Sequence, residues 1–269
     1  MIRPGLVSIT FRSLSPKHII ELVVRAGLQG IEWGGDVHVP LGNPVLAREL
    51  AKMTADAGLQ SAAYGSYYRV GNELEDMFAR IIDIAVALKT RIVRVWAGHM
   101  GSDKMDAKAR KNVVADSQRI CELAAAAGLT IACEWHGGTL TDTAGSARLL
   151  FAEVNHPAFR TYWQPHRLMP VAQCLADINA AKPRLVGLHV FQWNVATGDR
   201  EPLAAGESTW QRYLAAAAPA LPENSFALLE FVKDDDPQQF LRDAKTLRQW
   251  LDGTEPGRPR PDFAVRREM

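Results

Sequence analysis

The sequence alternates eight times between a short apolar segment and a longer amphipathic one. Strands are predicted at 5–10, 28–33, 59–64, 91–96, 129–134, 159–164, 184–190 and 225–231. Helices are predicted at 16–26, 43–57, 72–88, 107–127, 142–153, 168–181, 207–217 and 236–250. Short apolar runs are typical of parallel strands that are buried on both faces. Eight such units favour a single closed (β/α)8 barrel, since open doubly wound sheets more often stop at five or six strands.

Local signals at the helix ends support this division. The tripeptide Ala-Gly-Leu recurs around Gly27, Gly58 and Gly128, where glycine can adopt the left-handed conformation that ends a helix. Three helices are predicted to start with a capping residue followed by proline, as in Ser15-Pro16, Asn43-Pro44 and Asp236-Pro237. We therefore expect a barrel at 1–252 and a proline- and arginine-rich extension at 253–269, which lies on the surface or against another subunit of a homo-oligomer.

Composition narrows the class of partner. The formal net charge is +1, so the chain lacks the strong basic field that binding to nucleic acid or an anionic membrane usually requires. No segment reaches the roughly 18 consecutive apolar residues of a membrane span, and no signal peptide is recognised. Three separated cysteines fit reduced thiols, and strand alternation predicts that Cys133 packs away from any site. We expect a cytoplasmic protein with a small-molecule partner.

Polar side chains end four consecutive strands. Glu134, Gln164, His189 and Glu230 each follow an apolar run, and in a barrel the carboxyl ends of the strands meet at one rim. Two nearly buried carboxylates would repel each other, and a cation would remove that cost. Carboxylate, amide and imidazole ligands suit one divalent ion. We expect Mn²⁺, with Mg²⁺, Co²⁺ and Zn²⁺ as alternatives.

The segments GIEWGGDVH, IACEWHGGTLTDT, YWQPH, LVGLHVF and ALLEF resemble the xylose isomerase-like barrels across about residues 5–250. The group of these barrels that the chain resembles includes tagatose and allulose 3-epimerases, hydroxypyruvate isomerase and, more distantly, endonuclease IV. The resemblance implies a metal held at Glu134, Gln164, His189 and Glu230, with the two glutamates also acting as acid and base. Epimerases of this group usually carry aspartate where this chain has Gln164. We hypothesise that the amide weakens metal retention and strengthens the Lewis acid.

The other strand ends are predicted to supply a sugar or polyol pocket, since aromatic faces support the C–H side of a sugar and polar groups bind its hydroxyls. At strands one to four the candidates are Glu32, Trp33, His38, Tyr64, Tyr67, Arg69, Trp96 and His99. Beyond the later strands they are His136, His166, Gln192, Trp193 and Lys233. The connection that starts at Gln192 is long enough to act as a lid that sets specificity.

These residues predict proton abstraction next to a carbonyl, with the metal stabilising an enediolate. The expected enzyme is a sugar isomerase or epimerase in which Glu134 and Glu230 exchange protons with the substrate. A lyase or dehydratase acting on a sugar or keto-sugar derivative is the alternative, because the same enolate can expel a β-hydroxyl. An endonuclease IV-like phosphodiesterase and a non-catalytic sugar-binding protein are further alternatives.

Overall fold

The computed structural model describes residues 1–71, 75–166 and 168–253. Within these residues eight parallel strands close into a barrel in sequence order, and the last strand pairs with the first. The strands are β1 (Arg3–Val7), β2 (Gly30–Gly34), β3 (Gln60–Arg69), β4 (Ile92–Trp96), β5 (Thr130–Glu134), β6 (Phe159–Trp163), β7 (Leu185–Val190) and β8 (Phe226–Leu229). The predicted (β/α)8 barrel is confirmed.

One helix follows each strand around the outside of the barrel. The helices are α1 (Pro16–Arg25), α2 (Pro44–Asp56), α3 (Glu75–Ala87), α4 (Ala107–Ala126), α5 (Ala144–Val154), α6 (Val171–Ala181), α7 (Glu207–Ala217) and α8 (Pro237–Asp252). None of the described helices is both long and apolar enough to cross a membrane. The predicted start of the third helix, at 72–74, and residues 254–269 of the predicted extension lie outside the described residues.

The predicted helix ends are confirmed by their backbone geometry. The side chains of Ser15 and Asn43 accept hydrogen bonds from backbone amides in the first turns of α1 and α2, and each helix begins with proline. Gly27, Gly58 and Gly128 have φ angles of +67°, +75° and +70°. A side chain at these positions would be strained, so glycine is favoured where each helix turns towards the next strand.

The strand ends lie within two residues of their predicted positions, except in two strands where one end differs by three or more. Both of these differences shape the barrel mouth. Strand β1 ends at Val7 because Ser8–Phe11 forms a 3₁₀ helix. Strand β3 continues to Arg69, and its pairing with β4 shifts between Gly65 and Tyr68. Tyr67 lies in this bulge with a φ of +60°, a left-handed conformation that is rare for an aromatic residue.

The strands bury side chains on both faces. A small cluster that includes Val7, Ala132 and Leu228 fills the inside of the barrel. A larger cluster packs the outer face of the strands against the helices and contains Trp33 and Cys133. Cys133 is fully buried there, which agrees with its predicted packing role. The charged residues of the strands therefore reach the site from inward-facing positions.

Candidate active site

The four strand-end residues that the sequence singles out lie around one point. His189 Nδ1 is 3.2 Å from Gln164 Oε1, 3.4 Å from Glu230 Oε2 and 3.5 Å from Glu134 Oε1. One ligating atom each from Glu134, His189 and Glu230 lies within 4.8 Å of the others. A nitrogen that faces three oxygens at these distances leaves room for a cation among them. This buried group can hold a metal ion.

The hydrogen bonding of Glu230 fits such an ion. Glu230 is 4% exposed, yet its Oε2 receives no hydrogen bond from any described residue. A buried carboxylate oxygen without a donor is costly unless another positive group binds it. Carboxylate and amide oxygens with one imidazole form a mostly hard ligand set, which suits a divalent ion.

Glu134 is held by donors on the side away from this point. Its Oε2 accepts hydrogen bonds from Arg94 Nη1 and from Trp96 Nε1, each at 2.5 Å. Burial alone would raise the pKa of Glu134, but the charges of Arg94 and His189 outweigh burial and hold that pKa well below its usual range. With Oε2 held by these donors, Oε1 is the oxygen of Glu134 that faces His189 and the position of the cation.

Behind the candidate ligands lies Glu32, whose carboxylate contacts two of the charged groups. Glu32 Oε2 is 3.2 Å from His189 Nε2, and Glu32 Oε1 accepts a 2.6 Å hydrogen bond from Arg94 Nε. Burial alone would lower the pKa of His189, but the carboxylates of Glu32 and Glu230 raise it well above the ordinary histidine value. The imidazole thus faces carboxylates on both of its nitrogens.

The side chains of this cluster carry a net negative charge that a divalent ion would neutralise. Glu32, Glu134 and Glu230 carry three negative charges, and Arg94 supplies one positive charge, all of them in side chains that are at most 5% exposed. When His189 is a metal ligand it is neutral, and two negative charges then remain for the ion to balance. Since unpaired buried charge is strongly unfavourable, a doubly charged cation fits the chemistry of the donor set.

The group opens into a cavity of about 410 Å³ at the carboxyl ends of the strands. Its wall combines aromatic, cationic and hydroxyl groups with three of the candidate ligands. The lining residues are Ile9, Thr10, Phe11, Arg12, Ser13, Tyr67, Arg94, Trp96, Glu134, His136, Gln164, Arg200, Glu230, Phe231 and Asp235.

Three of the predicted substrate-binding residues line this cavity. Tyr67 packs edge-on against Trp96 with ring centroids 5.2 Å apart, and Trp96 lies 5.4 Å from the ring of His136. The Nδ1 of His136 lies 2.6 Å from the carbonyl oxygen of Gly137. Because a carbonyl only accepts, Nδ1 carries the proton of the neutral ring, and Nε2 carries the free lone pair. His136 therefore offers a proton acceptor at the cavity wall.

Other predicted substrate contacts at β2 lie elsewhere. Glu32 points inside the barrel beneath His189, so the next residue, Trp33, points outward and is fully buried against the helices. His38 is 4% exposed, and its Nδ1 lies 2.9 Å from the hydroxyl of Ser8. None of the three lines the cavity. Strand alternation accounts for Glu32 and Trp33, because adjacent residues face opposite sides of a sheet.

Tyr64 and Arg69 of β3 also lie away from the cavity wall. The buried Tyr64 hydroxyl donates to the carbonyl of Val39 at 3.0 Å. The guanidinium of Arg69 lies 4.1 Å from the ring centroid of Trp96. Arg69 thus packs against a cavity residue instead of lining the cavity itself.

The remaining predicted contacts are also outside the cavity wall. His99 and Lys233 are exposed on the surface, while His166 is partly buried and not among the lining residues. Gln192 bonds to the carbonyl of Trp193, whose ring packs against Phe231 instead of facing the cavity. Sequence spacing placed these residues near the rim, but loop conformation decides which side chains face inward.

Sequence reasoning missed two arginines that do line the cavity. Arg12 donates to Asp36 at 2.5 Å and to the hydroxyl of Tyr67 at 3.2 Å. Arg200 donates to Asp235 at 2.5 Å. Both arginines lie in loops, between β1 and α1 and between β7 and α7, where no periodic pattern indicates their direction. They place two guanidinium groups at the cavity wall, each beside a carboxylate.

Comparison with known proteins identifies relatives of several activities. A 3-dehydroshikimate dehydratase of Bacillus anthracis is 29% identical over 163 residues, and the match covers 57% of this chain and 58% of the relative. The chain thus matches little more than half the length of that relative.

Solved structures share the fold at lower identity. The probable 3-DHS dehydratase AsbF involved in petrobactin synthesis from Bacillus anthracis has a TM-score of 0.78 at 21% identity, over 92% of this chain and 99% of that chain. D-psicose 3-epimerase from Clostridium cellulolyticum H10 has a TM-score of 0.67 at 15% identity, over 93% and 97%. The 3-keto-D-glucoside 4-epimerase YcjR from E. coli has a TM-score of 0.69 at 14% identity, over 92% and 98%.

A sequence profile matches most of the chain and confirms the resemblance in the strand-end motifs. The match extends over residues 20–250, which run from α1 into α8 and include all four candidate metal ligands. The chain belongs to the xylose isomerase-like TIM barrel family.

Proposed function

We propose that the chain is a metal-dependent lyase that removes water from a hydroxylated cyclic keto acid, with 3-dehydroshikimate as the first substrate to test. The observation that carries this proposal is the pairing of Glu134 with Arg94 and Trp96. Epimerisation by two carboxylates needs both of them to exchange protons on opposite faces of the substrate. Because Glu134 Oε2 already accepts these two hydrogen bonds and Oε1 faces the position of the cation, Glu134 is poorly placed for that exchange.

The metal ligands and His136 have separate roles in the proposed elimination. Glu134, Gln164, His189 and Glu230 would hold the cation, for which Mn²⁺ is the first choice. A divalent ion bound there supplies Lewis acidity to the substrate carbonyl and so makes the neighbouring C–H bond more acidic. His136 accepts that proton at Nε2, the bond from the β-carbon to its hydroxyl breaks, and the imidazolium returns the proton so that water leaves.

Two arginines that line the cavity support an acidic substrate. Arg12 and Arg200 are paired with Asp36 and Asp235, and a guanidinium has five N–H donors, so those that the aspartate leaves unused can bind a substrate carboxylate. Trp96 and Tyr67 offer flat faces to a six-membered ring. The dehydratase relative, at 29% identity, acts by its name on such a substrate.

The test is turnover by purified protein that has been loaded with Mn²⁺. Loss of water from 3-dehydroshikimate followed by enolisation gives a dihydroxybenzoate, which is followed by its ultraviolet absorbance. His136→Gln should lower kcat by about 10²–10⁴-fold, the usual contribution of a general base. His18→Gln is the matched control, because His18 is exposed on the first turn of α1.

The outcomes separate this proposal from its alternatives. Full activity of His136→Gln would overturn the assignment of the base. Absence of any dihydroxybenzoate, with wild-type protein that holds metal, would reject this substrate. A product that carries solvent deuterium without loss of water, from a ketose in D₂O, would favour an isomerase instead.

A sugar isomerase or epimerase is the second candidate. The observation that favours it is the approach of two carboxylates, Glu134 and Glu230, to one point beside a cavity. In that reaction Glu230 would remove the proton and a second group would return it to the other face or to the neighbouring carbon. The similarity to the D-psicose 3-epimerase and the 3-keto-D-glucoside 4-epimerase makes D-psicose, D-tagatose and 3-keto-D-glucosides the test substrates.

Two further alternatives make different demands on the site. An endonuclease IV-like reaction uses three zinc ions, whereas the described residues bring together one group of three ligating side chains. A non-catalytic sugar-binding protein would bind ligand without turnover, and the metal-loaded assays above would then show no product.

Cytoplasmic location and a homo-oligomeric state remain predictions from the sequence.

A further inference from the structure

The carboxylate of Glu32 is in contact with two partners at once, from a position that solvent does not reach. Its side chain is fully buried inside the barrel. One oxygen lies 3.2 Å from His189 Nε2, and the other accepts a 2.6 Å hydrogen bond from Arg94 Nε. Glu32 comes from β2, whereas its partners come from β7 and β4, so these contacts cross the barrel interior.

The contacts continue from Arg94 to a candidate metal ligand. Arg94 Nη1 donates a 2.5 Å hydrogen bond to Glu134 Oε2. A chain of polar contacts therefore runs from His189 through Glu32 and Arg94 to Glu134. The atoms at its two ends, His189 Nδ1 and Glu134 Oε1, lie 3.5 Å apart and face the point where a cation fits.

We propose that Glu32 is a positioning residue of the metal centre, which fixes His189 directly and Glu134 through Arg94 before the cation binds. A carboxylate at Nε2 keeps a proton on that nitrogen, so Nδ1 is the nitrogen of His189 that would ligate the metal. The guanidinium is held between Glu32 and Glu134, so the carboxylate of Glu134 is turned with Oε1 towards the same point. This inference rests on the cation of the proposed function and adds how its ligands are oriented.

The position of Glu32 separates this role from substrate binding. Glu32 is not among the residues that line the cavity, although Arg94 and Glu134 are. A change at Glu32 therefore reaches the substrate only through those neighbours. An ion pair that served stability alone would be expensive here, because buried charges lose more by desolvation than a simple pair returns.

The test measures metal affinity without substrate. Mn²⁺ is titrated by calorimetry into chelator-treated wild-type protein, Glu32→Gln and the control Asp243→Asn. Asp243 is a carboxylate of α8 that is also buried and hydrogen-bonded, to the amide of Leu203 and the side chain of Gln239. Loss of an outer partner of a metal-binding histidine typically weakens metal binding by about 10–100-fold, and this is the effect expected for Glu32→Gln. Asp243→Asn should bind Mn²⁺ like the wild type.

The outcomes are distinct. If Glu32→Gln lowers only the unfolding temperature of the metal-free protein and leaves the Kd for Mn²⁺ unchanged, the positioning role is overturned. If Glu32→Gln does not fold, Glu32→Asp keeps the charge with a shorter reach, and its Kd should still rise; an unchanged Kd would overturn the role. If the wild type binds no Mn²⁺, both this inference and the metal of the proposed function fail. If it binds Mn²⁺ but forms no dihydroxybenzoate, the proposed reaction fails, and the Kd of Glu32→Gln still decides this inference.

Discussion

Arg94 should be the costliest single residue of the barrel interior to replace. It is 2% exposed and donates to both Glu32 and Glu134, which are themselves buried. Arg94→Met keeps much of the side-chain volume but leaves two carboxylates without their shared cation. Removing one partner of a buried ion pair costs about 3–5 kcal/mol. At about 2–4 °C for each kcal/mol in a chain of this size, the unfolding temperature of the metal-free protein should fall by about 6–20 °C.

The assay is urea unfolding and thermal unfolding of chelator-treated protein, followed by circular dichroism. Lys52→Met provides the matched control, because it breaks an exposed ion pair with Asp56 within α2. That pair should contribute at most about 0.5 kcal/mol to the free energy of unfolding. A loss below about 1 kcal/mol in Arg94→Met would refute the argument, since the two carboxylates would then tolerate burial without the guanidinium.

Two further changes test the neighbourhood of the candidate ligands. Gln164→Asp should tighten Mn²⁺ binding by about tenfold or more, because it adds a negative charge to the ligand set; equal or weaker binding by calorimetry would contradict this. Gly187→Ala would place a Cβ 2.1 Å from the ring of Tyr162, which stacks on His189 with centroids 5.1 Å apart. Such overpacking should destabilise the protein by about 1–3 kcal/mol, and a change within 0.5 kcal/mol in urea unfolding would show that the ring moves freely.

The fold could be predicted because each unit carries its own local signals. Gly27 has the left-handed φ that its tripeptide indicates, and Ser15 caps α1 as its spacing predicts. Buried parallel strands alternate with amphipathic helices, and few architectures accept eight such units in one chain. The continuation of β3 through Tyr67 was not predictable in this way, because a bulge depends on pairing with β4 and not on the composition of β3 itself.

The convergence of Glu134, Gln164, His189 and Glu230 followed from the fold, since strand ends meet at one rim whatever the loops do. Arg94 was missed although a charged residue within the run IVRVW is unusual for a buried strand. Its partners are 62 and 40 residues away in sequence. Only the closed barrel brings them together, so spacing along the chain gives no indication of the ion pairs.

Residues from loops were the least predictable part of the site. Arg12 and Arg200 line the cavity from connections whose backbone follows neither the helical nor the strand period. Conversely, Gln192 and Trp193 begin the connection that the sequence singled out. Arg200, further along the same connection, lines the cavity instead. The length of a loop indicates that it can reach a site, but not which of its side chains does so.

The structure preserves the electrostatic reason for the amide of Gln164, because Arg94 offsets the additional buried carboxylate of Glu32. Glu32, Glu134 and Glu230 with Arg94 leave two negative charges, which a divalent ion neutralises when His189 is neutral. An aspartate in place of Gln164, as in the epimerase pattern, would leave the loaded cluster with one uncompensated negative charge. Excess negative charge holds the ion more tightly and also weakens its Lewis acidity towards a substrate carbonyl. Gln164→Asp should therefore bind Mn²⁺ more tightly and turn over substrate more slowly, and a gain in both properties would show that charge balance does not explain the amide.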